Sequence, residues 1–344
     1  MNQKIILTLV AVFALIGIST LVAAFVIVDS PATEFQNDNI DSITNVDSTT
    51  SEINSKIIDV DSITIGFIPV EKADELTPKA EVLEKFLESE LGIDVKIVVP
   101  TNYETIIEGM RFGHIDAAFM DTGPAWITHQ RTGAEAVLAE IVEGKVNYQA
   151  TVWTLAENDS INTLEDTVGK RVAFTSITGS SGFVRPMGTL VTEGYIDIEG
   201  DDIVALEQAL ANNFESYTFA GGYKAALNLL LNGDVDVAFG SDIAPQKYLD
   251  LEDQLKLRPV VTIGPVPSHV FMVSSSMSDS TKDNLVSALI KLNYDENNFI
   301  LTDLYGAEAL VPTTTTMHIG EFGTFIDVLT GLDQKILDNG NKSK

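Results

Sequence analysis

The chain has 344 residues, 45% of them apolar and 21% charged, which is enough to bury a sizeable core and gives length for about two domains. Its 21 basic against 50 acidic residues leave a formal charge of -29, which excludes nucleic acid and anionic membrane surfaces as partners. It has no cysteine, which excludes disulfides, thiolate metal sites, a cysteine nucleophile and a cysteine lipid anchor.

Lys4 precedes an apolar run from Ile5 to Val28, broken by Thr8, Gly17, Ser19 and Thr20, that can cross a hydrocarbon layer requiring about 20 residues. Residues 1–28 are expected to form a membrane-anchoring helix with Lys4 inside and the rest of the chain on the extracytoplasmic face. Cleavage after Val22-Ala-Ala24, giving a secreted product, is the alternative. Residues 29–61 carry eight acids against Lys56 and few large apolar side chains, so they read as an acidic disordered tether.

Ser62 to Pro69 reads as a strand closing on a proline loop, Thr77 to Leu91 as a helix stopped at Gly92, and Val95 to Val99 as a second strand. Crossovers of this kind place ligands beyond the carboxyl ends of the strands, which marks Phe67 to Val70 as a candidate site loop. The next segment recurs at an ungapped offset of 120 residues: Tyr103, Gly113, Asp116, Ala118 and Phe119 match Tyr223, Gly233, Asp236, Ala238 and Phe239. Each copy is a helix stopped by glycine and followed by a short apolar strand. Two copies at this period predict two similar lobes, not a solenoid. The strand ends Met120-Asp-Thr-Gly123 and Gly240-Ser-Asp242 then look into one cleft, while Asp116 and Asp236, which precede the strand ends, are expected to cap turns.

Between the copies, Gln149 to Leu155 reads as a strand near a crossing between lobes, and Asn158 to Asp166 as the start of a helix. Arg171 to Ser176 reads as a buried strand that runs into Thr178-Gly-Ser-Ser-Gly182 and a helix from Phe183 to Gly194. The N–H groups and partial positive charge of such a helix start can seat an anion without a lysine, and an ordinary serine cap is the competing reading. Asp202 to Ala211 follows, then Ser216 to Gly222 as a loop opening the second repeat helix. Pro259 to Ile263 is a strand, and Gly264 to Val273 the second crossing. Asp279 to Tyr294 and Phe322 to Leu337 read as amphipathic helices, with a loop at Pro312 to Met317, packing back on the first lobe. His114, His129 and His318 are not spaced as metal ligands, and Trp126 and Trp153 are expected in the core.

Asn102-Tyr-Glu-Thr-Ile-Ile-Glu-Gly-Met-Arg-Phe-Gly-His-Ile-Asp-Ala-Ala-Phe119 and Ser180-Ser-Gly-Phe-Val-Arg-Pro186 resemble the first-lobe signature and the phosphate-binding Ser-Thr-Ser-Gly-Phe run of one family. It is the family of periplasmic-type binding proteins of ABC transporters for phosphonate, phosphite and phosphate, and the resemblance covers about Ile63 to Leu337. It implies an α/β, two-lobed type II periplasmic-binding-protein fold, each lobe a mixed, mainly parallel sheet flanked by helices. Lobe 1 is expected over 62–152 with 265–338, and lobe 2 over 153–264. By position it implies that Tyr103, Ser180 and Ser181 bind the oxyanion, that Thr178 and Gly179 shape the loop, and that Gly182 adds a backbone donor.

The chain departs from the family where Phe119 is followed by Met120, so a second phosphonate-binding tyrosine is expected to be absent. It departs again at Ala220-Gly-Gly-Tyr223, where the family often has histidine. Aminophosphonate binders hold the ligand's ammonium with carboxylates, whereas here His269 lies near the later loop with Asp242 as the one nearby acid. Met120, Asp121, Thr122, Gly222, Tyr223, Ser241, Asp242 and His269 complete the expected ligand-facing set, and the ligand is expected to be phosphate, phosphite or a simple phosphonate. The partners implied are an ABC permease and its ATPase, and the chain is expected to be monomeric, without catalytic residues, metal or cofactor. The alternative is an enzyme on the same frame, a transferase or dehydratase acting on a small anion. It would need a base or metal set in the cleft, and Ser180 and Ser181 have no neighbouring Lys or His. A sensor lobe is disfavoured because no signalling domain follows Lys344.

Overall fold

The computed structural model describes residues 59–67, 73–100 and 102–339. The expected membrane helix, all but the end of the tether, and the loop residues 68–70 lie outside the described residues. Among the described residues no helix is long and apolar enough to cross a membrane. The end of the predicted tether is tied to the folded body: Asp59 accepts hydrogen bonds from the hydroxyls of Thr281 (2.6 Å) and Ser278 (2.7 Å), which lower its carboxyl pKa.

The strands are β1 (Ser62–Phe67), β2 (Asp94–Val98), β3 (Ala117–Met120), β4 (Glu135–Ile141), β5 (Asn147–Leu155), β6 (Arg171–Phe174), β7 (Ser216–Phe219), β8 (Val237–Ser241), β9 (Leu257–Pro267), β10 (Val270–Val273) and β11 (Ala309–Pro312). The helices are α1 (Ala73–Leu91), α2 (Tyr103–Arg111), α3 (Thr122–Thr132), α4 (Arg185–Thr192), α5 (Ile203–Asn213), α6 (Tyr223–Leu231), α7 (Ala244–Tyr248), α8 (Leu251–Gln254), α9 (Asp279–Ile290), α10 (Phe299–Tyr305), α11 (Glu321–Val328) and α12 (Leu332–Asn339).

They build a mixed α/β fold with two sheets, ordered β11-β4-β10-β3-β1-β2 and β7-β6-β8-β5-β9. The 120-residue repeat is visible in this order. In each sheet three strands run parallel, β2-β1-β3 and β7-β6-β8, because helical crossovers join them. The neighbours β10 and β5 run antiparallel to β3 and β8, and the strands beyond them pair antiparallel too, so two of the five pairings in the first sheet and two of the four in the second are parallel, where mainly parallel sheets were expected. The chain passes from β4 to β5 through residues 142–146 and from β9 to β10 through Ser268 and His269, and β5 pairs with β9 along its whole length.

β3 and β10 are apolar and buried throughout, as central strands covered on both faces must be. The repeated phenylalanines centre two aromatic clusters. Phe119 lies 4.6 Å from Phe271 and 5.4 Å from Phe67, while Phe239 stacks on Phe174 at 4.9 Å. One apolar cluster is continuous from Ile106 of α2 and Ile127 of α3, through Phe325 of α11 and Ile336 of α12, to Met187 of α4 and Leu206 of α5. At its centre Gly188 faces Phe325 with no room for a side chain. Arg185 lies 4.3 Å over the Phe325 ring and bonds Glu321 at 2.9 Å.

Several elements differ from the sequence reading. Asn158 to Asp166 forms turns before a single 3₁₀ turn at Glu165–Thr167, because Asn158 and Asp166 accept hydrogen bonds from nearby backbone N–H groups and satisfy them outside a helix. Ser216–Phe219 is an edge strand, not a loop, since Tyr217 and Phe219 alternate with polar neighbours. β4, β11, α3, α7, α8 and α10 have no counterpart among the expected elements, and β11 returns to pair with β4.

Candidate functional site

Residues that follow the carboxyl ends of β3, β6 and β8 line a cavity of about 480 Å³. β6 ends at a turn that carries Thr178 and Ser180, and Ser180–Val184 then opens the helix with a π turn in which both Phe183 and Val184 donate to the Gly179 carbonyl. In such an opening the N–H groups of Ser180, Ser181 and Gly182 stand outside the helix's own ladder. Gly179 and Gly182 are required here, because a Cβ on either would occupy the space of the Thr175 hydroxyl. Behind the turn, buried Ser181 shares a 2.8 Å hydrogen bond with the hydroxyl of Tyr223, at the start of α6. The Tyr148 hydroxyl joins Ser181 and Tyr223, and burial, reinforced by Tyr223, pushes its pKa well up, so it stays a neutral donor.

The opposite wall is ionic. Asp121 precedes α3 but makes no capping hydrogen bond with its side chain. Its carboxylate instead accepts the Tyr103 hydroxyl at 2.6 Å and approaches His269 Nε2 at 3.2 Å. Burial and the Asp121 charge raise the Tyr103 pKa, so this hydroxyl keeps its proton. On its other side His269 Nδ1 lies 3.4 Å from Glu140 Oε2. Burial alone lowers the proton affinity of His269; the Asp121 charge and the hydrogen bond and charge of Glu140 outweigh it and lift the imidazole to about 9. Asp121, Glu140, Glu143 and Asp242 thus share the cavity lining with Lys145 and His269.

Of the residues expected from the sequence, Tyr103, Asp121, Thr122, Thr178, Ser180, Tyr223, Asp242 and His269 line this cavity together. Thr122 spends its hydroxyl on the Pro267 carbonyl at 2.9 Å, and Asp242 accepts from Gln149 N at 3.3 Å. Met120 is a core residue whose sulfur faces the Thr128 hydroxyl, and Ser241 is buried with its carbonyl bonded to the Trp153 indole. Gly179, Ser181 and Gly182 shape the turn from behind, and Gly222, at φ 156°, starts α6 in a conformation that suits glycine. Asp116 and Asp236 lie away from the cavity and brace strands. The sequence pointed to Asp242 as the acid near His269, whereas the fold sets Asp121 and Glu140 against the imidazole. Glu140 was detectable as a lone acid in the apolar run Ala136-Val-Leu-Ala-Glu-Ile-Val142; Tyr148 carried no such signal.

The same architecture recurs in solved structures. XAC2383 from Xanthomonas citri, described as bound to ATP, matches with a TM-score of 0.63 at 19% identity over 78% of this chain and 98% of that one. PhnD1 from Prochlorococcus marinus, described as in complex with methylphosphonate, matches with a TM-score of 0.52 at 15% identity over 79% and 99%. These likenesses define the class, a mixed α/β two-sheet fold of periplasmic binding proteins. Residues 65–317 match the family model of the periplasmic substrate-binding protein of ABC phosphonate transporters, and the chain belongs to that family. A relative named as a phosphate-import protein, PhnD of Mycolicibacterium smegmatis, is 30% identical over 234 residues, covering 65% of this chain and 70% of that protein. The family is one of transport proteins that bind substrate, not of enzymes, which removes the transferase or dehydratase reading.

Proposed function

We propose that the chain captures a phosphonate, phosphite or phosphate in the cavity between its two sheets and hands it to an ABC permease driven by its ATPase. The observation that carries this reading is the hydroxyl wall at the end of β6, where Thr178 and Ser180 meet the open N–H groups of the π turn, with Tyr223 beside them. Such a wall offers neutral donors to an oxyanion on a protein of net charge -29, where a lysine cluster is lacking. The sheets act as the cores of two lobes that close on the ligand about residues 142–146 and 268–269. Thr178 and Ser180 hold the oxyanion with their hydroxyls, the N–H groups of Ser180, Ser181 and Gly182 add backbone donors, Tyr223 stands beside them braced by the Ser181 hydroxyl, and Tyr103, Asp121, Asp242 and His269 read the other side. The apolar stretch 5–28 keeps this monomeric receptor on the extracytoplasmic face.

Titration calorimetry of the chain with phosphate, phosphite, methylphosphonate, aminoethylphosphonate and ATP tests the reading. One tight phosphorus oxyanion is the expected result, and flat traces for all five overturn it. ATP is included because a relative of the same fold is described as bound to it.

A further inference from the structure

Glu140 is 2% exposed, lies on central strand β4, and is an acid where the pattern of the strand calls for an apolar side chain. Among the described residues its Oε1 has no hydrogen-bond partner, and its Oε2 faces His269 Nδ1 at 3.4 Å. A buried carboxylate with half its acceptor capacity unused is costly to keep unless a positive partner depends on it. The backbone binds the same two residues together. Glu140 N donates to the His269 carbonyl at 3.0 Å, and the Ser268 hydroxyl donates to the Glu140 carbonyl at 2.6 Å. Glu140 therefore grips the segment by which the chain passes from the second sheet to the first.

The far side of the imidazole meets Asp121, whose carboxylate lines the cavity where an anion is to sit. Left alone, that carboxylate repels an oxyanion. With His269 protonated beside it, Asp121 is neutralised, and the remaining negative charge of the trio lies on Glu140, which is on the far side of the imidazole from Asp121 and almost wholly buried. We infer that Glu140 is a positioning residue of the oxyanion site, acting through His269: it keeps His269 an imidazolium against Asp121, so that the cavity wall accepts an anion. The ligand half of this inference rests on the function proposed above.

The other titratable groups around the imidazole do not supply its proton-holding partner. Glu143, Lys145 and Asp242 line the same cavity with Tyr103, Tyr148 and Tyr223, and His318 lies below with Nε2 at 3.0 Å from the Ser268 carbonyl. Burial lowers the pKa of His318, which leaves it neutral near pH 7 and adds no charge beside His269.

The test is an NMR titration of the His269 imidazole in the unliganded chain and in Glu140→Gln, together with methylphosphonate titrations of both at pH 6 and pH 8. The midpoint of His269 is expected to fall by about one pH unit or more in the variant, the usual effect of losing a close opposite charge. The ratio of variant to wild-type Kd is expected near one at pH 6 and about twofold or more at pH 8, following the loss of protonated His269; the ligand's own titration cancels in this ratio. An unchanged midpoint, or a loss of affinity equal at both pH values, overturns the inference. If Glu140→Gln does not fold, His269→Gln decides: binding as tight as wild type at pH 6 overturns it, and marked weakening supports it. Absence of binding by the wild-type chain overturns the oxyanion reading and the ligand half of this inference together, while the imidazole titration still decides whether Glu140 holds the charge of His269.

Discussion

Asp116 and Asp236, 120 residues apart, perform the same task in the two sheets. Asp116 Oδ2 accepts the backbone N–H of Thr64 on β1 at 2.8 Å, and Asp236 Oδ2 accepts that of Arg171 on β6 at 3.0 Å. In return each aspartate N–H donates to the carbonyl of that same residue, at 2.8 Å in both cases. Each carboxylate thus fastens the start of the strand on its parallel neighbour, and the turn-capping role expected from sequence is a clamp between strands.

Asp236 also holds the Arg171 guanidinium, at 2.6 Å, and that hydrogen bond is the main reason its carboxyl pKa is lowered. A carboxyl lowered by folding contributes stability that is present above its unfolded pKa and is lost as pH falls through the folded one. Asp236→Asn is expected to cost about 1–3 kcal/mol at pH 7 and to reduce the loss of stability on acidification. Urea unfolding at pH 7 and pH 3 measures both, and equal costs at the two values would contradict the assignment.

His269 works in the opposite sense. Its pKa is raised to about 9, so it contributes stability in full below the unfolded value near 6.5, and that contribution disappears as pH rises through 9. The chain is expected to lose stability between pH 7 and 10, and His269→Gln to flatten this slope. Thermal melts across that range check the prediction.

Replacing Ser180 and Ser181 together by alanine is expected to weaken binding of the best oxyanion at least about tenfold, since a hydrogen bond from the Ser180 hydroxyl to a charged group is worth about 1.5–3 kcal/mol and the Ser181 hydroxyl holds Tyr223 in place beside it. Calorimetry with the ligand identified in the screen reads the loss. Unchanged affinity would place the anion elsewhere in the cavity.

Gly182→Ala pushes a methyl group into the Thr175 side chain, which is buried at the end of β6. The substitution is expected to destabilise by about 1–3 kcal/mol, as overpacking does, and Thr175→Ala in the same chain should recover part of that cost. A double-mutant cycle by urea unfolding that shows simple additivity would rule this contact out.

What the sequence made legible was the part encoded locally. The matched pairs Tyr103 with Tyr223 and Phe119 with Phe239 announced two similar sheets, and the small residues of Thr178 to Phe183 announced a turn that opens a helix at the cavity. The ionic wall was legible only in pieces, because Asp121, Glu140 and His269 come from α3, β4 and the passage between β9 and β10, which meet only once the first sheet has formed. Met120 was misplaced for a related reason. Side chains on a strand alternate between faces, so Met120 turns into the core and the next residue, Asp121, reaches the cavity.

The apolar cluster that passes through α11 and α12 joins helices of both sheets without a break, and Gly188 brings α4 against Phe325 at its centre. Each half also keeps an apolar cluster of its own, around Phe67, Phe119 and Phe271 in the first and around Trp153, Leu227 and Leu230 in the second, but the shared cluster ties one side of each half to the other. The two halves are therefore expected to unfold together. A substitution at Phe325 should lower the stability of strands in both sheets equally, and hydrogen exchange in β3 and β8 should report the same opening free energy.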